Sequence, residues 1–513
     1  MTRLHGLGLT LVLVLALVGA KVGTPQPQAR SLAAIPPAPD ARGARARPAA
    51  LSFDVDDPLA PQQWYLERTR ALSKWVVPPS LAPVRVAVID SGLDLGHPEL
   101  AGRVVAARSF VAAPVKDTEG HGTIVSGVIA ARSQNAAGIA GLAPSAELIV
   151  AKVVRSDRSI RVREEARAIR WAVDQGARVI NMSLGGVRDP GKPSRDTFSE
   201  AEADAIRYAV RNGVLVVAAV GNGDQAPRQP WPYASYPAAL PHVLGVSAVD
   251  LDGASPGFSN RDPIYNDLAA PGVDILSTFP RSLTARRPEC VEQGFTLCAT
   301  DEFTAPEGTS FAAPIVTALA ANLIATRPSL RPEQVSVLLQ RSAVDATPAT
   351  GCGLCVPGRD ALTGWGVVDG EAALTALERE VPPADSLEPN DDAGGRAWRL
   401  FFAPGRTGRT IDATLDYWDD EDDVYAVRLA RGQRLFAALS AKKGGLVLAL
   451  WRPATVSVDD LGRQELRVRL ANTPGPRERL AWTADEPGWY FLHVRLPSRT
   501  GPFPYRLSVV RPR

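Results

Sequence analysis

The chain has 513 residues, 45% of them apolar and 22% charged, with a formal net charge of +2. That length exceeds one ordinary hydrophobic core and predicts two or more domains. The near-neutral balance, with arginines scattered rather than striped, excludes the strongly basic surface of a nucleic-acid or polyanion binder.

The opening "MTRLHGLGLTLVLVLALVGA" sets basic Arg3 before an apolar stretch over 7–18, closed by Gly19 and Ala20. This pattern predicts a signal peptide over 1–20. The stretch is shorter than the ~20 residues that span a bilayer, and no second one follows. The expectation is therefore a secreted protein, extracellular or periplasmic, with no membrane span after signal cleavage. Residues 21–52, rich in Ala, Pro and Arg, predict a disordered leader with little to bury. This leader is too short and too proline-rich to fold as a cleavable chaperone segment. Four cysteines, Cys290, Cys298, Cys352 and Cys355, suit an oxidising compartment. Sequence neighbours suggest two local bridges, although four cysteines allow three connectivities. "CGLC" lacks the partner pair of a metal site.

From Val84 the pattern becomes regular. "VRVAVID" predicts a buried strand ending in Asp90, and "HGTIVSGVIAAR" a helix opening at His121. "AELIVAKVV" follows as a strand, then "REEARAIRWAVDQG" as an amphipathic helix stopped by Gly176. "ARVINMSLGG" is a strand running into glycines. "SEAEADAIRYAVRNG" is a helix capped by Ser199 and ended at Gly213. "VLVVAAVGN" and "VLGVSAVD" are further apolar strands, and "EGTSFAAPIV" begins a helix apolar to Ile324. Strands alternating with helices, and apolar throughout, predict an α/β domain: a parallel sheet flanked by helices. The spacing changes after Val381. "VPPADSLEPNDDAGG" reads as a linker over 381–395. Short segments such as "DDVYAVRL", "QRLFAALS", "LVLALW", "GWYFLHVRL" and "YRLSVV" then predict a small all-β sandwich over 396–513.

Four polar residues fall at element ends, where an open parallel sheet gathers its ligands. Asp90 and Asn222 end strands; His121 and Ser310 begin helices. A serine hydroxyl needs a base to become a nucleophile. Histidine can supply that base near neutral pH, and an aspartate can orient the imidazole. Taken singly, each residue is explained as an ordinary cap or turn; together they form a catalytic set.

"VAVIDSGLDLGHPEL", "GHGTIVSGVIAA", "VINMSLGG", "VVAAVGN" and "EGTSFAAPIV" resemble, in order, the signature blocks of the subtilisin-like serine proteases. The resemblance covers roughly 53–378, within an expected protease domain over 53–380. It implies that Asp90, His121 and Ser310 form a triad, with the Asn222 amide and the Ser310 N–H as oxyanion donors. It also implies a peptide-binding edge at Ser183, Leu184, Gly185 and Gly186, and a side-chain pocket at Ala219, Gly221 and Gly223, with Asp224 close by. Protein or peptide substrates are expected, and no cofactor is required for the chemistry. A structural calcium is implied at Asp57, Glu99 and Asn135, oxygen donors from separate segments that suit a hard cation. The sequence departs from the family at Ile124, where a second histidine is usual, at Ser126, and after Pro314. A stretch over 281–303, with Cys290 and Cys298, reads as an insertion. The tail resembles the β-sandwich domains that follow bacterial secreted proteases. Two other functions keep the fold: a catalytically inactive binding protein, and an esterase or amidase.

Overall fold

In the computed structural model, residues 55–512 are described except 76–78, 224–225, 285–301, 380, 382–386, 388–389, 391–392, 395–396, 402–406, 416–421, 443–444, 456–457, 459–463 and 497–502. The expected signal, the leader, Cys290, Cys298, Asp224, most of the 281–303 insertion and much of the linker lie outside them.

Seven strands form one sheet: β1 (Val84–Asp90), β2 (Val104–Ser109), β3 (Ala146–Lys152), β4 (Val179–Met182), β5 (Leu215–Ala219), β6 (Val243–Val249) and β7 (Leu268–Pro271). Their order is β2-β3-β1-β4-β5-β6-β7 and every pairing is parallel. Alternate residues of β1 feed opposite faces, Val86 and Val88 into one core, Ala87 and Ile89 into the other. With both faces covered, a strand has no polar side to show, which is why these strands are apolar throughout.

On the first face lie α1 (Trp64–Thr69), α2 (His121–Ala130), α6 (Thr309–Thr326), α7 (Pro332–Ser342) and α8 (Gly370–Ala376); α3 (Val162–Asp174) and α4 (Glu200–Arg211) cover the second. A short α5 (Arg281–Thr284) and a strand pair, β8 (Ser277–Thr278) and β9 (Phe303–Thr304), stand next to α2. Helix α6 is apolar on all sides because it is buried on all sides, with strands beneath it and helices around it. Among the described residues it is the one helix long and apolar enough to cross a membrane, and the fold uses it as core.

Residues 398–510 form two sheets that share an apolar interior. One holds β10 (Trp398–Arg399), β12 (Asp422–Leu429), β17 (Gly488–Arg495), β14 (Val447–Trp451) and β15 (Arg467–Ala471). The other holds β11 (Gly408–Leu415), β18 (Phe503–Val510), β13 (Arg434–Ala441) and β16 (Arg477–Thr483). The sandwich is therefore present, with four strands the sequence pattern did not single out: β10, β11, β15 and β16. Their residues are largely polar or exposed, so no apolar run marks them. One local expectation is corrected. Ser199 occupies the α4 cap position but its side chain makes no capping bond. Cys352 and Cys355 stand at disulfide distance, in keeping with the expected local pairing; the Cys290–Cys298 counterpart falls outside the described residues.

Candidate active site

Asp90 ends β1 at the centre of the sheet, with β3 on one side and β4 on the other. Chain connections diverge there, leaving a crevice beyond the carboxyl ends of the strands. Helix α2 starts against it, and Gly122 makes the approach possible: a Cβ there would meet the Gly92 carbonyl at 2.3 Å. The His121 Nδ1 consequently lies 2.8 Å from Asp90 Oδ1 and 3.0 Å from Oδ2, with both residues 1% exposed. A carboxylate only accepts, so Nδ1 donates and Nε2 is left as the basic nitrogen.

The start of α2 is held by a residue the sequence reading passed over. Asp117 accepts the N–H of Glu119, Gly120 and Thr123 and the hydroxyls of Ser91 and Thr123. Ser91 in turn donates its N–H to Asp90 Oδ1 at 2.6 Å and accepts the Gly122 N–H at 2.9 Å. An aspartate three residues before "GHGT" was visible in the sequence as a capping signal, but its bond to Ser91 is tertiary.

Ser310 is the second residue of α6, after Gly308 and Thr309. Gly308 has φ +147, and a Cβ there would lie 3.2 Å from Asn222 Nδ2. Proline at 314 has no N–H for the Ser310 carbonyl one turn back. The Ser183 hydroxyl takes that place at 2.6 Å, itself fixed by Asn181 and, behind it, Thr317. The Ser310 N–H, in the first turn of a helix, has no protein acceptor among the described residues.

The Ser310 hydroxyl departs from expectation. It donates to the Ser183 carbonyl at 3.2 Å, and no hydrogen bond joins it to His121 among the described residues. The imidazole nevertheless lies at the same helix start, its ring 5.3 Å from that of Phe311. A 3.2 Å O–H···O contact is long and weak, and rotation about one torsion redirects the hydroxyl.

Asn222 follows β5. Its Oδ1 accepts the Thr309 N–H at 2.9 Å and the Thr309 hydroxyl at 2.8 Å, while the Gly221 N–H donates to that hydroxyl at 3.2 Å. Asn222 thus caps α6 from another segment, and with its oxygen committed, the amide Nδ2 is the group left to donate. Thr309, buried completely, is the second residue the sequence reading missed.

Of the expected peptide edge, Ser183 is tied to Ser310 as above. The Gly186 N–H donates to the Tyr236 carbonyl at 2.8 Å and its C=O accepts the Tyr236 N–H at 2.9 Å, so its backbone is already paired within the fold. The backbone groups of Leu184 and Gly185 remain without protein partners among the described residues. Across from them, Ala219 is buried and Gly221 half-buried. Ser235 lies beneath both rims, close to the Cα of Gly185 and of Gly221.

Asp57, Glu99 and Asn135 also come together. Asp57 accepts the N–H of Gln134 and Asn135 at 3.0 and 3.2 Å. Glu99 is buried, one of its oxygens has no hydrogen-bond partner, and Asn135 bonds the carboxyl side chain. Burial first, and then the neighbouring Asp57 charge, raise the Glu99 pKa to about 7; burial also raises Asp57. Two buried carboxyls side by side, one of them with an unpartnered oxygen, are the donor chemistry a hard cation fits. Gly138 passes so close to Glu99 that a Cβ would collide with its carboxyl.

This geometry agrees with the comparisons. The subtilase family model matches residues 82–366. The chain belongs to the subtilase family. The reaction class is serine-type peptide-bond hydrolysis. Thermitase of Thermoactinomyces vulgaris is 33% identical over 237 residues, covering 45% of this chain and 78% of thermitase. Subtilisin DY of Bacillus licheniformis is 34% identical over 266 residues, 52% of this chain and 85% of the other. The major intracellular serine protease of Bacillus subtilis is 38% identical over 207 residues, covering 38% of this chain and 60% of that protein. A subtilase with "intracellular" in its name means that family membership alone does not assign a compartment.

Proposed function

We propose that this subtilase is an exported serine endopeptidase that cleaves through an acyl-enzyme on Ser310. The observation that carries the reading is the buried Asp90–His121 hydrogen bond at the same helix start as a half-exposed Ser310. In the first half-reaction His121 Nε2 takes the Ser310 hydroxyl proton as Oγ attacks the substrate carbonyl. The new oxyanion accepts hydrogen bonds from Asn222 Nδ2 and the Ser310 N–H, and His121 returns its proton to the departing amine. Water then attacks the ester with His121 as base, regenerating the hydroxyl. The peptide lies along Leu184 and Gly185, whose free backbone groups can pair with an extended strand of any sequence. The side chain before the cut enters the slot between these residues and Ala219–Gly221–Gly223, over Ser235.

Asp57, Glu99 and Asn135 would hold a calcium ion that joins the N-terminal segment to the loop after α2, contributing stability and no chemistry. The proposed organisation is a signal peptide over 1–20, a leader over 21–52, a protease domain over 53–380, a linker over 381–395 and a sandwich over 396–513. Export rests on the N-terminal pattern, and Cys352 and Cys355, at disulfide distance, suit an oxidising compartment.

A serine-directed fluorophosphonate, together with digestion of unfolded casein, tests the central claim. Labelling and digestion by the wild type, both abolished in Ser310→Ala, are expected. Labelling in neither protein would favour a binding protein, and labelling without casein digestion an esterase or amidase.

A further inference from the structure

Lys152 ends β3 and is 2% exposed, the one lysine among the buried described residues. A buried ammonium is costly unless several acceptors surround it. Parallel register sets Lys152 beside Asp90. Its Nζ donates to the Ser91 carbonyl at 2.6 Å and to the Lys116 carbonyl at 3.0 Å. Each carbonyl belongs to a segment that builds the site. Ser91 follows Asp90, holds its Oδ1 through the backbone N–H, and accepts the Gly122 N–H. Lys116 precedes Asp117, which gathers the first turn of α2. One side chain therefore joins the loop carrying Asp90 to the loop that aims His121.

Its charge faces anions from each of these elements. Asp90 comes from β1, and Asp117 and Glu119 from the loop before α2; all three favour the ammonium, against burial, which disfavours it. Glu119 is also paired with Arg158 at 2.9 Å. The Lys116 side chain is exposed.

We propose that Lys152 is a positioning residue for the reaction: its buried ammonium clamps the loop that carries Asp90 to the loop that aims His121. The inference rests on Asp90, His121 and Ser310 being the catalytic set. Without the clamp the Asp90 carboxylate and the first turn of α2 lose a shared anchor, so the imidazole is held less well for the proton transfer while the peptide edge at Leu184 and Gly185 is untouched.

The test compares kcat and KM for the full chain and for Lys152→Met, Lys152→Gln and Lys152→Arg, on a soluble peptide well below each Tm. Gln and Arg keep donors for the two carbonyls; Met keeps none. Expected is a kcat about tenfold lower in folded Met protein with KM nearly unchanged, partly restored in Gln or Arg. A kcat in folded Met protein within about threefold of the wild type, even with a lowered Tm, overturns the proposal. So does failure of both neutral variants to fold while Arg folds, because Lys152 then serves folding alone. Ser310→Ala run alongside separates the two readings: activity surviving there sinks the catalytic set itself, whereas activity lost there with kcat kept in Met sinks only the role of Lys152.

Discussion

Thr309 touches no expected substrate atom, yet both of its hydrogen-bonding groups go to Asn222 Oδ1. Fixing that oxygen points the amide N–H outward, and a donor that is already oriented stabilises an oxyanion without reorganising during the reaction. Asn222→Ala should lower kcat by about 10²–10³, the range measured for loss of this kind of donor in subtilisin. Thr309→Val, which keeps the shape and the backbone bond, should lower kcat by roughly tenfold with little change in KM. Kinetics on a single peptide check both; a change confined to KM in Thr309→Val would show that the hydroxyl acts on binding instead. Ser183 joins two jobs in one residue, since its hydroxyl satisfies the carbonyl that Pro314 leaves unpaired while its backbone carbonyl receives the Ser310 hydroxyl. The proline was plain in the sequence. That the missing bond is made good from β4 was not, because the partner lies 127 residues away.

At the scale of elements, α2 reaches Asp90 only because residue 122 lacks a side chain. Gly122→Ala would set a Cβ 2.3 Å from a backbone oxygen that cannot swing aside. The helix would have to shift, costing about 2–4 kcal/mol and several degrees of Tm, and parting His121 from Asp90. Thermal unfolding and kcat/KM should fall together, whereas a loss of activity without a loss of Tm would point elsewhere. On the opposite face α3 and α4 meet over a pair of carboxyls, Glu165 and Glu202, 0% and 3% exposed. Burial raises both, Glu202 to about 7, and the neighbouring Glu202 raises Glu165 further. In the unfolded chain both ionise near 4.5, so between that pH and about 7 the folded state binds more protons and stability falls as pH rises. Glu165→Gln should flatten this dependence, read as the difference in Tm between pH 5 and pH 8.

For the whole molecule, Glu99 carries the same sign, its pKa raised from 4.5 to about 7. Without a divalent cation, stability should decline as pH rises through this window, by on the order of 2 kcal/mol. Calcium, binding the ionised form, should reverse the decline and bind more tightly at pH 8 than at pH 5. Tm measured with calcium and with chelator at both pH values checks this, and Glu99→Gln should abolish the calcium effect. No calcium response in the wild type would remove the proposed site. The β-sandwich has its own apolar interior, so a protein spanning 53–380 is expected to fold and hydrolyse short peptides at near wild-type rates; a loss beyond about tenfold would give the sandwich a part in forming the site.

The sequence by itself determined the parallel α/β sheet and the succession β1, α2, β3, α3, β4, α4, β5, β6 and α6, and it offered the residues proposed to carry the chemistry, while β2 and β7 were not read from it. Strands buried on both faces are written as unbroken apolar runs, and polar residues ending them stand out. Strands β11, β15 and β16 escaped because a sheet wetted on one side spreads its signal over polar neighbours. Only the tertiary structure decided which groups hold the chemistry in place: Asp117 and Ser91 under α2, Thr309 on Asn222, Ser183 on Ser310, Tyr236 on Gly186, Lys152 beside Asp90. Apart from the local bonds of Asp117 to the start of α2, these are hydrogen bonds between segments remote along the chain, so local spacing carries no trace of them, and they exist only once burial leaves those polar groups no water to pair with.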